Sequence, residues 1–305
     1  MTHAHDDFDW SARLSALRRA DAIDADAQRA VAGRLVSAVR PGGTIVDVGS
    51  GAGGMSAQLA LALRERGGGT LVLVDAVPEL LDAAAGHVLK ALDGPGPAVD
   101  LGMVLADAAG ERLPEQVPPA DLVWAAHVVH HLRDQQEGVD RLARLLVPGG
   151  LLALAEGGLG TQCLPWDLGV GDPGLIDRAQ AARSSWLARL RADMPGSVRM
   201  TIGWTRALAD AGLTEVTSFS YLVDHPAPVS AEIREAVVEW LGFLSHAGAD
   251  WLSADDNLAL ERLLDATDPA YAGARDDVFY LASSTVNLGR RPADGPGQPA
   301  QAPEV

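Results

Sequence analysis

Two hydrophobic periods alternate along the chain. Across residues 11–39 apolar side chains fall at helical spacing (Leu14, Leu17, Val31, Leu35, Val36, Val39), and Pro41-Gly42-Gly43 stops that pattern. TIVDVGS follows as a short β-branched run, the mark of a buried strand, and GAGG turns it into a helix holding Met55, Leu59 and Leu63. Gly67-Gly68-Gly69 ends that helix, and LVLVDA reads as a second buried strand. Pro78 suits the first turn of the next helix, which runs through Leu80, Leu81, Ala84 and Val88. Further strands are expected near 99–105, over DLVWAA at 121–126, and over LLALAEG after Pro148-Gly149-Gly150, with a helix across 135–146. Strands alternating with helices at this spacing predict a parallel sheet covered on both faces.

Beyond Gly157 the pattern loosens. Residues 158–175 read as a loop containing Trp166, followed by helices at 176–192 and 203–211 and a strand at 215–222. Two amphipathic helices at 229–247 and 253–267 come next, then an alternating strand, DVFYLASSTVNLG. The late helices carry Trp240, Leu241, Phe243 and Leu244, then Leu258, Leu260, Leu263 and Leu264, which suit a core, a homodimer contact or a pocket wall. The segment from Pro292, rich in Pro, Gly, Ala and Gln, is expected to be disordered.

Composition narrows the function classes. With 48% hydrophobic and 21% charged residues over 305 positions, the chain can bury a core and is not wholly disordered. Acidic residues outnumber basic ones by 41 to 24, a net charge of −17, and no run of Arg and Lys interrupts the excess. Such a chain repels phosphate backbones, so nucleic acid is not an expected partner. One cysteine, Cys163, makes neither an internal disulfide nor a thiolate metal cage. No apolar run approaches the roughly 18 residues that span a bilayer, and MTHAHDDFDW lacks the basic start and apolar core of a secretion signal. The expectation is a soluble, cytoplasmic protein with no membrane partner.

The chemistry starts at the first strand-to-helix turn, Gly49-Ser50-Gly51-Ala52-Gly53-Gly54. Glycines belong where the backbone turns sharply and a ligand approaches it closely. Asp75 ends the second strand about 20 residues on, where this kind of fold needs a carboxylate for ribose hydroxyls. The pair does not name its ligand, because Gly49, Gly51 and Gly54 also satisfy the dinucleotide pattern G-x-G-x-x-G, so an NAD(P)-dependent oxidoreductase competes. Three features tilt against it: Asp47 inside strand one, about 40 helix-forming residues ahead of that strand, and a second acid, Asp107, ending strand three.

IVDVGSGAGG, LVLVDA, ADA at 106–108, ADLVWAAHVVHHL and LLVPGGLLALAE, in this order over roughly 43–157, resemble the successive motifs of class I S-adenosylmethionine-dependent methyltransferases. The resemblance implies an α/β, Rossmann-like, seven-stranded, mostly parallel sheet with helices on both faces. It also implies an N-terminal helical cap over 1–42, a methyltransferase domain over 43–291 with substrate-side insertions at 158–202 and 225–276, and a tail at 292–305. The implied cofactor is S-adenosyl-L-methionine. Gly49 and Gly51 would pack beside its methionine part, with Asp47 supporting that loop. Asp75 would accept both ribose hydroxyls, with Ala76 beside the adenine. Asp107 would accept from the exocyclic amine, Ala108 would offer its N–H to the ring, and the backbone near Ala125 would face the methionine amino group. A non-catalytic adenosyl-binding regulator is the competing reading of the same motifs.

In open α/β sheets the reacting centre lies beyond the carboxyl ends of the strands. His127, after strand four, and Glu156, ending strand five, project there, and Trp10, Trp166 and Trp204 are the aromatic candidates for lining the mouth. His127, His130 and His131 are spaced i, i+3, i+4, one face if the segment is helical. No H-E-x-x-H is present and no metal is expected. His127 is the candidate general base or positioning group; His130 and Glu156 are candidate substrate contacts, with backbone-bonding roles the alternative for the later histidines. A base profits a hydroxyl acceptor more than a free amine, so O-methylation is favoured over N-methylation. The expected substrate is a small molecule, such as a secondary metabolite, with a peptide as the alternative.

Overall fold

A computed structural model describes residues 14–293. Trp10 and most of the Pro/Gly-rich tail lie outside the described residues. The elements run α1 (Leu14–Val36), β1 (Thr44–Val48), α2 (Gly54–Glu65), β2 (Gly69–Asp75), α3 (Pro78–Ala91), β3 (Val99–Leu105), α4 (Leu113–Gln116), β4 (Ala120–Ala126), α5 (Gln135–Arg144) and β5 (Leu146–Gln162). They continue with α6 (Leu175–Asp193), α7 (Trp204–Asp210), β6 (Thr214–His225), α8 (Ala231–Gly248), α9 (Ala254–Leu264) and β7 (Tyr280–Arg290).

The seven strands form one sheet in the order β3-β2-β1-β4-β5-β7-β6. β1 pairs in parallel with β2 and β4, β2 with β3, and β4 with β5. β7 runs the other way, because Arg291 meets Gly149 and Gly150 while Phe279 meets Cys163. This is the expected Rossmann-like fold with a C-terminal antiparallel pair. Ile45, Val46, Val48, Leu122, Val123 and Ala125 are fully buried, as central parallel strands covered on both faces require. Strand order reverses between β1 and β4, and their pairing ends at Val48 opposite Ala125. Beyond that point lies the crevice where open α/β sheets take ligands.

By internal contacts the chain divides into two compact units. One comprises, among the described residues, 28–156, 198–219 and 285–293; its core joins β1, β2, β4 and β5 through residues such as Val46, Val74, Val123 and Leu152. The other comprises, among the described residues, 14–27, 157–197 and 220–284, with a core built on Cys163, Ile176, Val237, Leu241, Leu244, Leu260 and Leu263. Most late-helix leucines are therefore core, whereas Leu258 is exposed. Strand β5 continues to Gln162, so the segment read as loop from 158 begins as strand. Among the described residues no helix is long and apolar enough to cross a membrane.

Candidate functional site

The first unit holds the glycine turn. Gly49, Gly51 and Gly53 all have positive φ (74°, 54° and 87°). The backbone N–H groups of Gly49 and Ser50 donate to the Val74 carbonyl at 2.7 and 3.1 Å, which ties the turn to the end of β2. A Cβ on Gly49 would stand 2.3 Å from Val128 Cγ2, so packing alone demands glycine there. Gly51 differs: a Cβ there would meet only the Gly49 carbonyl oxygen, at 4.0 Å, and the space in front of it is open. The Ser50 hydroxyl, in the same turn, is buried without a hydrogen-bond partner.

Asp75 is buried at the carboxyl end of β2. Its Oδ2 accepts from Gly51 N–H and its Oδ1 from Val77 N–H, each at 3.0 Å. Burial pushes its carboxyl above the usual range, against the stabilising pull of the Val77, Gly51 and Ala76 N–H groups. Ala76 beside it is exposed. Asp47, buried within β1, accepts from Ser56 Oγ at 2.5 Å, which clamps the strand to α2. Asp107 closes its own turn, its Oδ1 accepting from Ala109 N–H at 2.7 Å. The neighbouring Ala108 carbonyl accepts from Arg141 Nη1 at 3.1 Å. Arg141, almost fully buried on α5 and paired with Glu137 at 2.6 Å, thus pins the loop that carries Asp107. Sequence reading missed this arginine, whose target lies a helix and a strand away.

Beyond β4 the segment that carries the histidines is not an α-helix. His127 has a left-handed backbone (φ 56°) and donates its N–H to the Ala155 carbonyl at 3.0 Å; only a single 3₁₀ turn, Val129–His131, follows. A non-glycine residue in this region costs of order 1 kcal/mol and survives where surroundings over-determine it. Here the surroundings are Glu156. Its Oε1 accepts from the N–H groups of Val128, Val129 and His130 at 3.0, 2.8 and 3.4 Å, and its Oε2 lies 2.7 Å from His130 Nδ1. The Glu156 side chain is only 1% exposed, so it organises the turn and does not stand at an open surface as the sequence reading expected. His130 Nδ1 is thereby committed to the Glu156 carboxylate.

The rings of His127 and His130 lie 6.2 Å apart edge to face, and His131 stacks on His130 at 3.9 Å. One ligand atom from each of His127, His130 and Glu156 falls within a 4.8 Å group. A cation there would have to displace the Glu156–His130 hydrogen bond, so the arrangement as it stands is a hydrogen-bonded pair with an exposed imidazole alongside. Trp204 opens α7 and packs on this unit's core, and Trp166, 69% exposed, belongs to the other unit. The structure therefore gathers Asp47, Gly49, Gly51, Asp75 and Ala76 at one turn, and His127, His130 and Glu156 at another.

Comparison with known proteins agrees with this geometry. A family model described as a methyltransferase domain matches residues 46–152, which hold both turns up to the start of β5's second half. A curated ubiquinone biosynthesis O-methyltransferase from Caulobacter sp. (strain K31) is 32% identical over 111 residues. That match covers 36% of this chain and 39% of the relative, so the chain aligns with well under two thirds of the relative's length. Among solved structures, a protein from Anaeromyxobacter dehalogenans classed provisionally as a type II methyltransferase superposes with a TM-score of 0.51 at 18% identity. The superposition covers 87% of this chain and 97% of that one, a likeness of fold. The matched segment, which holds the glycine turn and the histidine turn, is similar to methyltransferase domains, and the strand order is that of a Rossmann-like fold.

Proposed function

We propose that the chain moves the methyl group of S-adenosylmethionine to a small-molecule acceptor, with oxygen favoured over nitrogen. Asp75 is the observation that carries the cofactor half. Its two well-formed backbone bonds use one acceptor site on each oxygen, and a carboxylate has about four, so both oxygens keep capacity for a pair of neighbouring hydroxyls. The open space before Gly51 and the unpartnered, buried Ser50 hydroxyl support the fit of a ligand that lies along the turn. On this reading Asp47 holds the loop through Ser56, and Ala76 lies beside the adenine. Asp107 and Ala108 meet the base's polar edge, and the end of β4 at Ala125 faces the methionine amino group.

When bound, the cofactor supplies an electrophilic methyl carbon on a sulfonium whose departure needs no acid. Most of the rate gain then comes from alignment, for which effective molarities reach about 10⁵ M or more. The chain's own chemistry is proton handling: a hydroxyl acceptor gives up its proton, and His127 is the base or positioning group for it. His130, fixed by Glu156 through Nδ1, is the second imidazole of the same turn. The O-methyltransferase name of the Caulobacter relative supports oxygen as the acceptor. The test is release of S-adenosylhomocysteine in the presence of a panel of phenols, alcohols and amines. Turnover with hydroxyl acceptors is expected; stabilisation by a nicotinamide dinucleotide alone, with no S-adenosylhomocysteine released, would sink the reading.

A further inference from the structure

The second unit contains a polar cluster that cofactor chemistry does not use. It forms where the first half of α1 meets the ends of β5, β6 and β7. Alternation puts Tyr221, Val223 and His225 on one face of β6, and Tyr280, Ala282 and Ser284 on one face of β7. Tyr221 is hydrogen-bonded to Ser284, and Tyr280 to Thr161. The rings of His225 and Tyr280 lie 6.3 Å apart, edge to face, and His225 Nε2 donates to the Ile23 carbonyl of α1 at 3.0 Å. The phenols and the imidazole are thus held in place. The next residue on α1 is Asp24.

Asp24 is the exception in this cluster. Among the described residues none donates a hydrogen bond to it or forms an ion pair with it. Its charge nevertheless acts on Tyr221, Tyr280 and His225 together. Its oxygens are not among the side-chain atoms sealed from solvent. Burial, with Asp21 adding like charge and His225 opposing it, pushes the Asp24 carboxyl up to about 6. Arg19, five residues earlier on the helix, is taken by Glu235 and Glu239 at 2.7 Å each. A carboxylate kept for structure is ordinarily hydrogen-bonded; a part-exposed one without such a bond, beside the imidazole that meets the preceding carbonyl of its own helix, suits a cation.

We propose that Asp24, with Tyr221, Tyr280 and His225 around it, binds the protonated amine of a small-molecule ligand. The carboxylate supplies the charge, and aromatic rings in its neighbourhood favour an ammonium over a neutral group. That this ligand is the methyl acceptor rests on the methyltransferase reading above; the amine site itself does not. The groups facing the site are Asp21, His225, Tyr221 and Tyr280, with Cys163 behind Tyr280, its thiol pushed up to about 12 by burial. Tyr280 is itself pushed up to about 12, so it keeps its proton over the range in which Asp24 gains its charge. Amine binding should therefore strengthen as pH rises through about 6.

Calorimetry tests this with tyramine, phenethylamine and cyclohexylamine as probes, and with 4-ethylphenol as the uncharged control, on the wild type and on Asp24→Asn. At least one amine should bind the wild type at pH 8, about tenfold more weakly at pH 5 and about tenfold more weakly to the variant. The control should show neither dependence. Equal amine binding by Asp24→Asn, no gain between pH 5 and 8, or no binding of any amine at about 10 mM would each overturn the proposal. S-adenosylmethionine should stabilise wild type and variant alike. If it stabilises neither, the methyltransferase reading falls while the amine result still stands on its own.

Discussion

Removing the Glu156 carboxylate should collapse the turn that carries the histidines, and the structure sets the size of the effect. Three backbone N–H groups converge on Oε1 and the His130 imidazole engages Oε2, all within an almost solvent-free site. Hydrogen bonds to a charged group contribute about 1.5–3 kcal/mol each, and donors left buried without an acceptor lose more than the bond. Glu156→Gln keeps an acceptor at Oε1 and lets His130 change tautomer to meet the new amide, so its cost should stay near 1–3 kcal/mol, an order-of-magnitude figure. Glu156→Ala strands all four donors and should cost about 3–5 kcal/mol. At about 2–4 °C per kcal/mol, that variant should melt roughly 6–20 °C below wild type. Thermal denaturation reads the loss, and titration with S-adenosylmethionine reads what survives: Glu156→Gln should bind the cofactor as wild type does, since Asp75 is untouched, while methyl transfer falls. A Glu156→Ala protein melting within about 2 °C of wild type would refute the anchoring role.

Three further outcomes follow from the same geometry. Gly49→Ala drives a Cβ to within 2.3 Å of Val128 Cγ2 at φ 74°, and should cost about 2–4 kcal/mol in denaturant unfolding. His127→Gly relieves a left-handed backbone and should gain about 0.5–1 kcal/mol of stability while losing transferase activity, which separates the site's need from the fold's. Asp24 has a folded carboxyl raised to about 6 from the ordinary 3.8, so its charge disfavours folding: the penalty is absent below about pH 4, grows through about 6 and is complete above it. Asp24→Asn should therefore be more stable than wild type at pH 8, by roughly 2–3 kcal/mol at most, and no more stable at pH 4.

The sheet was legible because its inner strands are continuous apolar runs between glycines; TIVDV and LVLVD admit little else once strand length is considered. Asp75 was legible for a related reason, since a carboxylate directly after such a run sits at a strand's end. What local spacing cannot carry is a long-range partner. The i, i+3, i+4 histidines would share a face only on a helix, and the turn instead takes its form from Glu156, 26 to 28 residues away, and from a positive φ that histidine rarely adopts. Arg141 is hidden in the same way, reading as a helix-surface charge until Ala108 is seen to accept from it. The far half of β5 was obscured by Gly157, Gly158 and Gly160, which weaken a strand signal even where a neighbouring strand restores it. Asp24 carried no signal, because its surroundings are assembled from four separate elements.

The central claim is that Asp75 and the glycine turn hold S-adenosylmethionine, and calorimetric titration of wild type and Asp75→Ala with S-adenosylmethionine and with NAD tests it most directly. Two charge-assisted bonds to hydroxyls, at about 1.5–3 kcal/mol each, predict a loss of affinity of at least about 100-fold in the variant. The wild type should bind the adenosyl cofactor and not NAD. Equal affinity of the two proteins for S-adenosylmethionine, or binding of NAD in its place, would contradict the account.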